Sequence, residues 1–220
     1  MIPSAFKALG DLLSPDLRSI LFKAMGLTLL LFIAVLVGTE MLLSALTLVP
    51  WPWLETMIAV GAGLGLLAAF FFLMAPVTAI FAGLYLDDVA ARVEARHYAA
   101  DPPGTPLTTF KAMRTAVGFA LVVLAVNLAI LPLVFTGIGA AALVAANAYL
   151  ISREYFEMAA ARHMEPAAAK ELRRANTASV FIAGLIPALM SVVPLLNIAV
   201  PLFATSYFVH IFKRVKASSA

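Results

Sequence analysis

The clearest chemistry in the chain lies near its N-terminus, in Ser14-Pro15-Asp16-Leu17-Arg18-Ser19. This run has the form of a helix start. Ser14 can cap, and Pro15 fits the first turn, where its missing N–H costs nothing. Free backbone N–H groups at a helix N-terminus favour an anion. Arg18 adds a permanent charge with a planar fork of donors, and Ser19 adds a hydroxyl. Together these groups suit an anion at a membrane entrance. An arginine beside a membrane span also serves as a topology anchor, so residue type alone does not decide between the two roles.

A second polar group is Arg153-Glu154-Tyr155, followed by Glu157 and Arg162. Arg153 and Glu157 are spaced for an i,i+4 ion pair. Arg153 and Glu154 are candidates for a charged mouth beside a permeation path; the alternative is a solvated pair ordering a helix end. Asn127 and Asn197 stand in apolar surroundings and are candidates to line a polar path. Asparagines also hold helices together in membranes. His97, His163 and His210 lie far apart, without paired ligand spacing, and the chain has no cysteine. No catalytic set, metal site or cofactor is expected from these spacings.

Composition says where this chemistry must work. Of 220 residues, 63% are hydrophobic and only 12% charged. Ordinary soluble domains have roughly 45–50% and 25%. A soluble enzyme, a disordered chain and a nucleic-acid-binding module are excluded, and an integral membrane protein is indicated. The 15 Lys and Arg fall into four groups: Lys7 to Lys23, Arg92 to Arg114, Arg153 to Arg174, and Lys213 to Lys216.

Long apolar stretches separate these groups. Residues 25–48 form one span, interrupted only by Glu40. A turn at Val49-Pro50-Trp51-Pro52-Trp53 follows, with tryptophans suited to the headgroup boundary. Residues 56–86 form a second span. Residues 115–152 and 175–212 are each 38 residues without a charge. One helix of that length would reach about 57 Å, nearly twice a ~30 Å hydrocarbon core, yet two full crossings need about 40 residues plus a turn. Each stretch suits a helical hairpin with short arms. Pro132, Gly137 and Gly139 mark one tip, and Pro187, Pro194 and Asn197 the other. Backbone at such tips must be packed in protein or face water. Both termini and all basic groups then share one face, which the positive-inside rule makes cytoplasmic. A six-span layout with short helices gives the same orientation.

Ile2, Phe6, Leu9 and Leu13 recur at helical spacing, predicting a short helix lying in the membrane interface or packed on a neighbouring loop. The charges before the first span, and the length of that span, do not fit a cleavable signal.

Several ordered motifs give the chain a resemblance to the CysZ-type sulfate permease family, in its alphaproteobacterial form. They are Leu13 to Arg18, Leu86-Asp87-Asp88-Val89-Ala90 with Val93 to Tyr98, Asn127 to Leu133, Arg153-Glu154-Tyr155-Phe156-Glu157, and Pro194 to Asn197 with Pro201 and His210-Ile211-Phe212. The resemblance implies an all-α integral membrane fold: an amphipathic N-terminal helix, two long transmembrane helices and two hemi-penetrating helical hairpins. It divides a single membrane domain, residues 1–220, into an interfacial helix at 2–14, transmembrane helices at 19–48 and 54–92, and hairpins at 110–164 and 175–213. It also implies sulfate transport across the bacterial inner membrane, supplying cysteine biosynthesis, by a homo-oligomer in the lipid bilayer.

The family's Gly-Leu-Arg-type sulfate motif carries over to Leu17 and Arg18, with Ser19 after them. Asp16 stands where glycine is expected, and a carboxylate repels a dianion unless a cation neutralises it. The competing readings are a non-transporting membrane scaffold and a permease for another small anion.

Overall fold

A computed structural model describes residues 1–46, 51, 53–54, 56–58, 60–66, 85–106 and 138–219. Most of the second transmembrane helix expected at 54–92 lies outside these residues. So do residues 110–137 of the first hairpin, including Asn127 and Pro132. The described elements are all helical, besides turns and connecting segments. They are α1 (Ile2–Leu12), α2 (Pro15–Leu46), α3 (Leu86–His97), α4 (Gly139–Ala161), α5 (Pro166–Ala175), α6 (Thr177–Val192), the single turn α7 (Pro194–Asn197) and α8 (Val200–Ser219). Helical residues also occur within 56–66.

α1 behaves as its periodicity demands. Ile2, Phe6 and Leu13 are more than two-thirds exposed and Leu9 is also outward, forming an apolar stripe left uncovered among the described residues. The opposite face, with Ala8 and Asp11, is buried and packs on α8. An apolar stripe outside and a packed face inside suit a helix at a membrane surface.

α2 begins at Pro15, a turn earlier than the expected span. The Ser14 hydroxyl donates to Asp11 O and lies 3.5 Å from the Leu17 N–H, a long capping contact. Within Pro15–Leu42 the most apolar 18-residue window has a mean hydropathy of 2.6, and this is the one described helix long and apolar enough alone to cross a membrane. Its 32 residues extend about 48 Å. Leu17, Ile20, Ala24 and Thr28 bury one face at helical spacing. Beyond them Leu30, Ile33, Val37, Met41 and Leu42 turn outward, a surface suited to lipid.

α8 is the hub. Residues 200–212 are buried throughout, in contact with α1, α3, α4 and α6. Lipid is as apolar as leucine, so apolar burial alone holds a helix weakly in a membrane bundle. α8 also carries Ser206 and His210, which bond to Asp11 of α1. α6 and α8 are joined through α7 and pack on each other. Sixteen residues make α6 about 24 Å long, less than the ~30 Å core. At Asn176 the chain bends by 93° between α5 and α6.

α6 crosses α4 at Gly184, where a Cβ would collide with Ala148 O and lie 2.7 Å from Ser152 Cβ. Only glycine permits that approach. The small-residue run Gly61, Gly63 and Gly65 differs. A Cβ at any of these would meet nothing within 4 Å, so this run makes no close helix contact among the described residues.

Candidate functional site

The start of α2 opens onto a cleft of about 430 Å³ lined by Ser14, Pro15, Asp16 and Leu17 on one side. The opposite side is α3, with Arg92, Val93, Ala95 and Arg96, and Asp11 of α1 also borders it. α3 can present both arginines because they are four residues apart and therefore share a face. Arg92 Nη1 lies 3.6 Å from Asp16 Oδ1, and Arg96 Nη1 lies 3.6 Å from Asp11 Oδ1. A cation thus sits beside the carboxylate that replaces the expected glycine. Both guanidinium groups are half exposed, each beside a carboxylate of the cleft.

The residues expected at the anion site are divided. Leu17 is buried and lines the cleft. Arg18 and Ser19 are exposed, and neither lines it. The Ser19 hydroxyl donates to Asp16 O at 2.7 Å. Arg92 and Arg96, absent from the expected set, supply the cleft's guanidinium groups.

Behind the cleft is a buried polar cluster. Asp11 Oδ1 accepts from His97 Nε2 at 2.8 Å, and its Oδ2 accepts from Ser206 Oγ at 2.8 Å and His210 Nε2 at 3.2 Å. Burial alone would raise the Asp11 pKa, but the hydrogen bonds from His210, His97 and Ser206 outweigh it and bring the carboxyl to about 2. Tyr98 Oη lies 2.8 Å from His210 Nδ1. Burial, with Asp101 and Asp11 nearby, pushes the Tyr98 phenol up, so it keeps its proton and can donate.

A second cluster fastens the other side of α3. Arg162, almost fully buried, reaches Glu94 through Nε at 3.1 Å and Nη2 at 3.2 Å, and Asp87 through Nη1 at 2.7 Å. His163 Nε2 is 2.9 Å from Glu94 Oε1, and the Gly104 N–H donates to Glu94 Oε2 at 3.2 Å. Burial would raise the Glu94 pKa, but the hydrogen bonds and charge of Arg162 lower it. Arg162 therefore ties α3 to the end of α4.

The other expected site residues lie apart from this cleft. Arg153 and Glu157 form the anticipated i,i+4 pair at 3.9 Å, but Glu157 accepts a closer bond from Arg173 of α5, at 2.6 Å. Arg173 is buried, whereas Lys170 and Arg174 of the same basic run stay exposed. Arg153 and Glu154 are part-buried on α4. Asn197 is part-buried in α7, between α6 and α8.

The residues missed from sequence were Asp11, Arg92 and Arg96. The signal was present: Arg92 and Arg96 occupy one helix face, and Val93 to Tyr98 is among the motifs behind the family resemblance.

Apolar α2 and outward-facing α1 define an all-helical membrane protein. The chain matches the family described as Sulfate transporter CysZ/Etoposide-induced protein 2.4 over residues 4–201, and it belongs to that family. Comparison with curated proteins gives no match.

Proposed function

We propose that the protein carries sulfate across the bacterial inner membrane, as a channel or permease, and so supplies cysteine biosynthesis. The observation that supports this best is family membership over residues 4–201. Its role is transport rather than catalysis. The substrate enters at the start of α2, where Leu17 belongs to the first turn and Arg18 and Ser19 follow. Sulfate offers only acceptors, so it needs N–H and guanidinium donors.

In this reading Arg92 and Arg96 complete the entrance. Arg92 offsets Asp16, and Arg18 on the adjoining surface draws the anion towards it. Such a site must bind weakly enough to release. Asn127, Arg153, Glu154 and Asn197 are proposed to line the later path or its mouth. The active form is a homo-oligomer with both termini in the cytoplasm, since all basic clusters then lie on one side. The hairpins enter the bilayer without crossing it.

The test is sulfate influx into proteoliposomes of purified protein, with chloride and phosphate as controls. Saturable sulfate influx is expected. A non-transporting scaffold would give none, and equal passage of phosphate or chloride would indicate a permease for another small anion.

A further inference from the structure

The Asp11 cluster does more than satisfy its own hydrogen bonds. We infer that Asp11, His97 and His210 form a binding site for a divalent transition-metal ion of the zinc class, joining α1, α3 and α8. One ligand atom from each of the three residues lies within 4.8 Å of the others. Two imidazole nitrogens and a carboxylate oxygen form a donor set used by zinc and its neighbours, and three protein ligands leave a position for water. Bonds of about 2.0–2.1 Å in a tetrahedron place ligand atoms roughly 3.3 Å apart. The observed separations are close to this: 2.8 Å from Asp11 Oδ1 to His97 Nε2 and 3.2 Å from Asp11 Oδ2 to His210 Nε2, each ring against its own carboxylate oxygen. The rings stand edge to face with centroids 4.9 Å apart.

The surroundings fit a metal centre. A ligating histidine normally bonds through its other nitrogen to an outer partner that fixes the ring. Tyr98 Oη occupies that position on His210 Nδ1 at 2.8 Å, and Ser206 holds the Asp11 carboxylate at 2.8 Å. On metal binding to a neutral His210 ring, the Nε2 proton is released, Nδ1 takes one up from solvent, and the new N–H donates to Tyr98 Oη. No redox step is involved. Arg96 is the opposing charge, 3.6 Å from Asp11, but its side chain is half exposed and can turn to water. Lys213 is held by Asp101 at 2.7 Å, 5.3 Å over the Tyr98 ring. His163 has no comparable role, because Arg162 already grips its carboxylate partner.

The experiment uses the full chain in detergent, purified on a histidine-free tag, stripped with chelator and titrated with Co²⁺ at neutral pH. The expected result is one Co²⁺ per chain, with the visible absorption of a low-coordinate site, displaced by Zn²⁺. His97→Gln and His210→Gln should each abolish the spectrum while helical content by circular dichroism is retained. The partly exposed His97 carries the test if His210→Gln misfolds. Tyr98→Phe should weaken binding about ten- to hundredfold as an outer-partner loss, and His163→Gln should titrate as wild type. Failure of the folded wild type to take up Co²⁺ would overturn the inference, as would a spectrum unchanged in His97→Gln.

Discussion

α3 carries two buried carboxylate clusters on its two sides, and they are built differently. Glu94 is gripped by Arg162, whose planar fork makes two bonds to the carboxylate. Asp11 is held by two imidazoles and a hydroxyl, with an arginine only at 3.6 Å. The first arrangement is a permanent lock. The second rests on single hydrogen bonds from three separate side chains. The lock fixes α3 to α4, and the imidazole cluster sits behind the cleft at the start of α2. A helix held firmly on one side can present Arg92 and Arg96 accurately on the other.

The lock should fail most visibly. Arg162→Ala leaves Glu94 buried without its cation, and removing one partner of a buried pair costs about 3–5 kcal/mol. Thermal unfolding should show this loss, and Arg162→Lys should recover only part because the fork is gone. If Arg162→Ala melts like wild type, the two clusters do not differ as described.

Gly104→Ala sharpens the same point on a smaller scale. Its Cβ would stand 2.9 Å from Arg162 Cβ and from Glu94 Oε2. Overpacking of this kind costs about 1–3 kcal/mol. The same melts would show it, and an unchanged midpoint would mean the loop yields freely.

Acid separates the clusters by chemistry. Glu94 has its pKa lowered on folding. Its contribution is therefore present above the ordinary carboxylate pKa and is lost as pH falls through the lowered, folded value. Stability measured downward from neutral pH should decline in the acid range, and Glu94→Gln should flatten that decline while lowering stability at neutral pH. A slope identical to wild type would remove Glu94 from the account.

The smallest stability effect is expected at the cleft. Arg92 and Asp16 are exposed and 3.6 Å apart, and surface pairs contribute about 0–1 kcal/mol. Arg92→Gln should leave the melting midpoint nearly unchanged while reducing sulfate binding. A large stability loss would make Arg92 a structural residue.

What was legible in the sequence was local. The stripe Ile2, Phe6, Leu9 and Leu13 followed from helical period, and it is outward in the fold. The helix start at Ser14-Pro15 followed from capping chemistry. The Arg153–Glu157 pair followed from i,i+4 spacing, but the tighter bond comes from Arg173, 16 residues later, beyond the turn between α4 and α5. His97 and His210 lie 86 and 199 positions from Asp11, on different helices, so no spacing rule unites them. Asp16 and Arg92 are also far apart in sequence, and only the fold, which brings α3 to the start of α2, reveals the neutralising charge.

The central claim is that sulfate enters at the start of α2. Its most direct test is sulfate influx into proteoliposomes at matched protein abundance, comparing wild type, Arg18→Ala and the double variant Arg92→Gln/Arg96→Gln. A hydrogen bond to a charged group contributes about 1.5–3 kcal/mol, which corresponds to roughly a ten- to hundredfold loss of affinity. The account predicts a loss of this size for Arg18→Ala, only partial recovery in Arg18→Lys, and a loss at least as large for the double variant. Influx at the wild-type level in both Arg18→Ala and the double variant would contradict it.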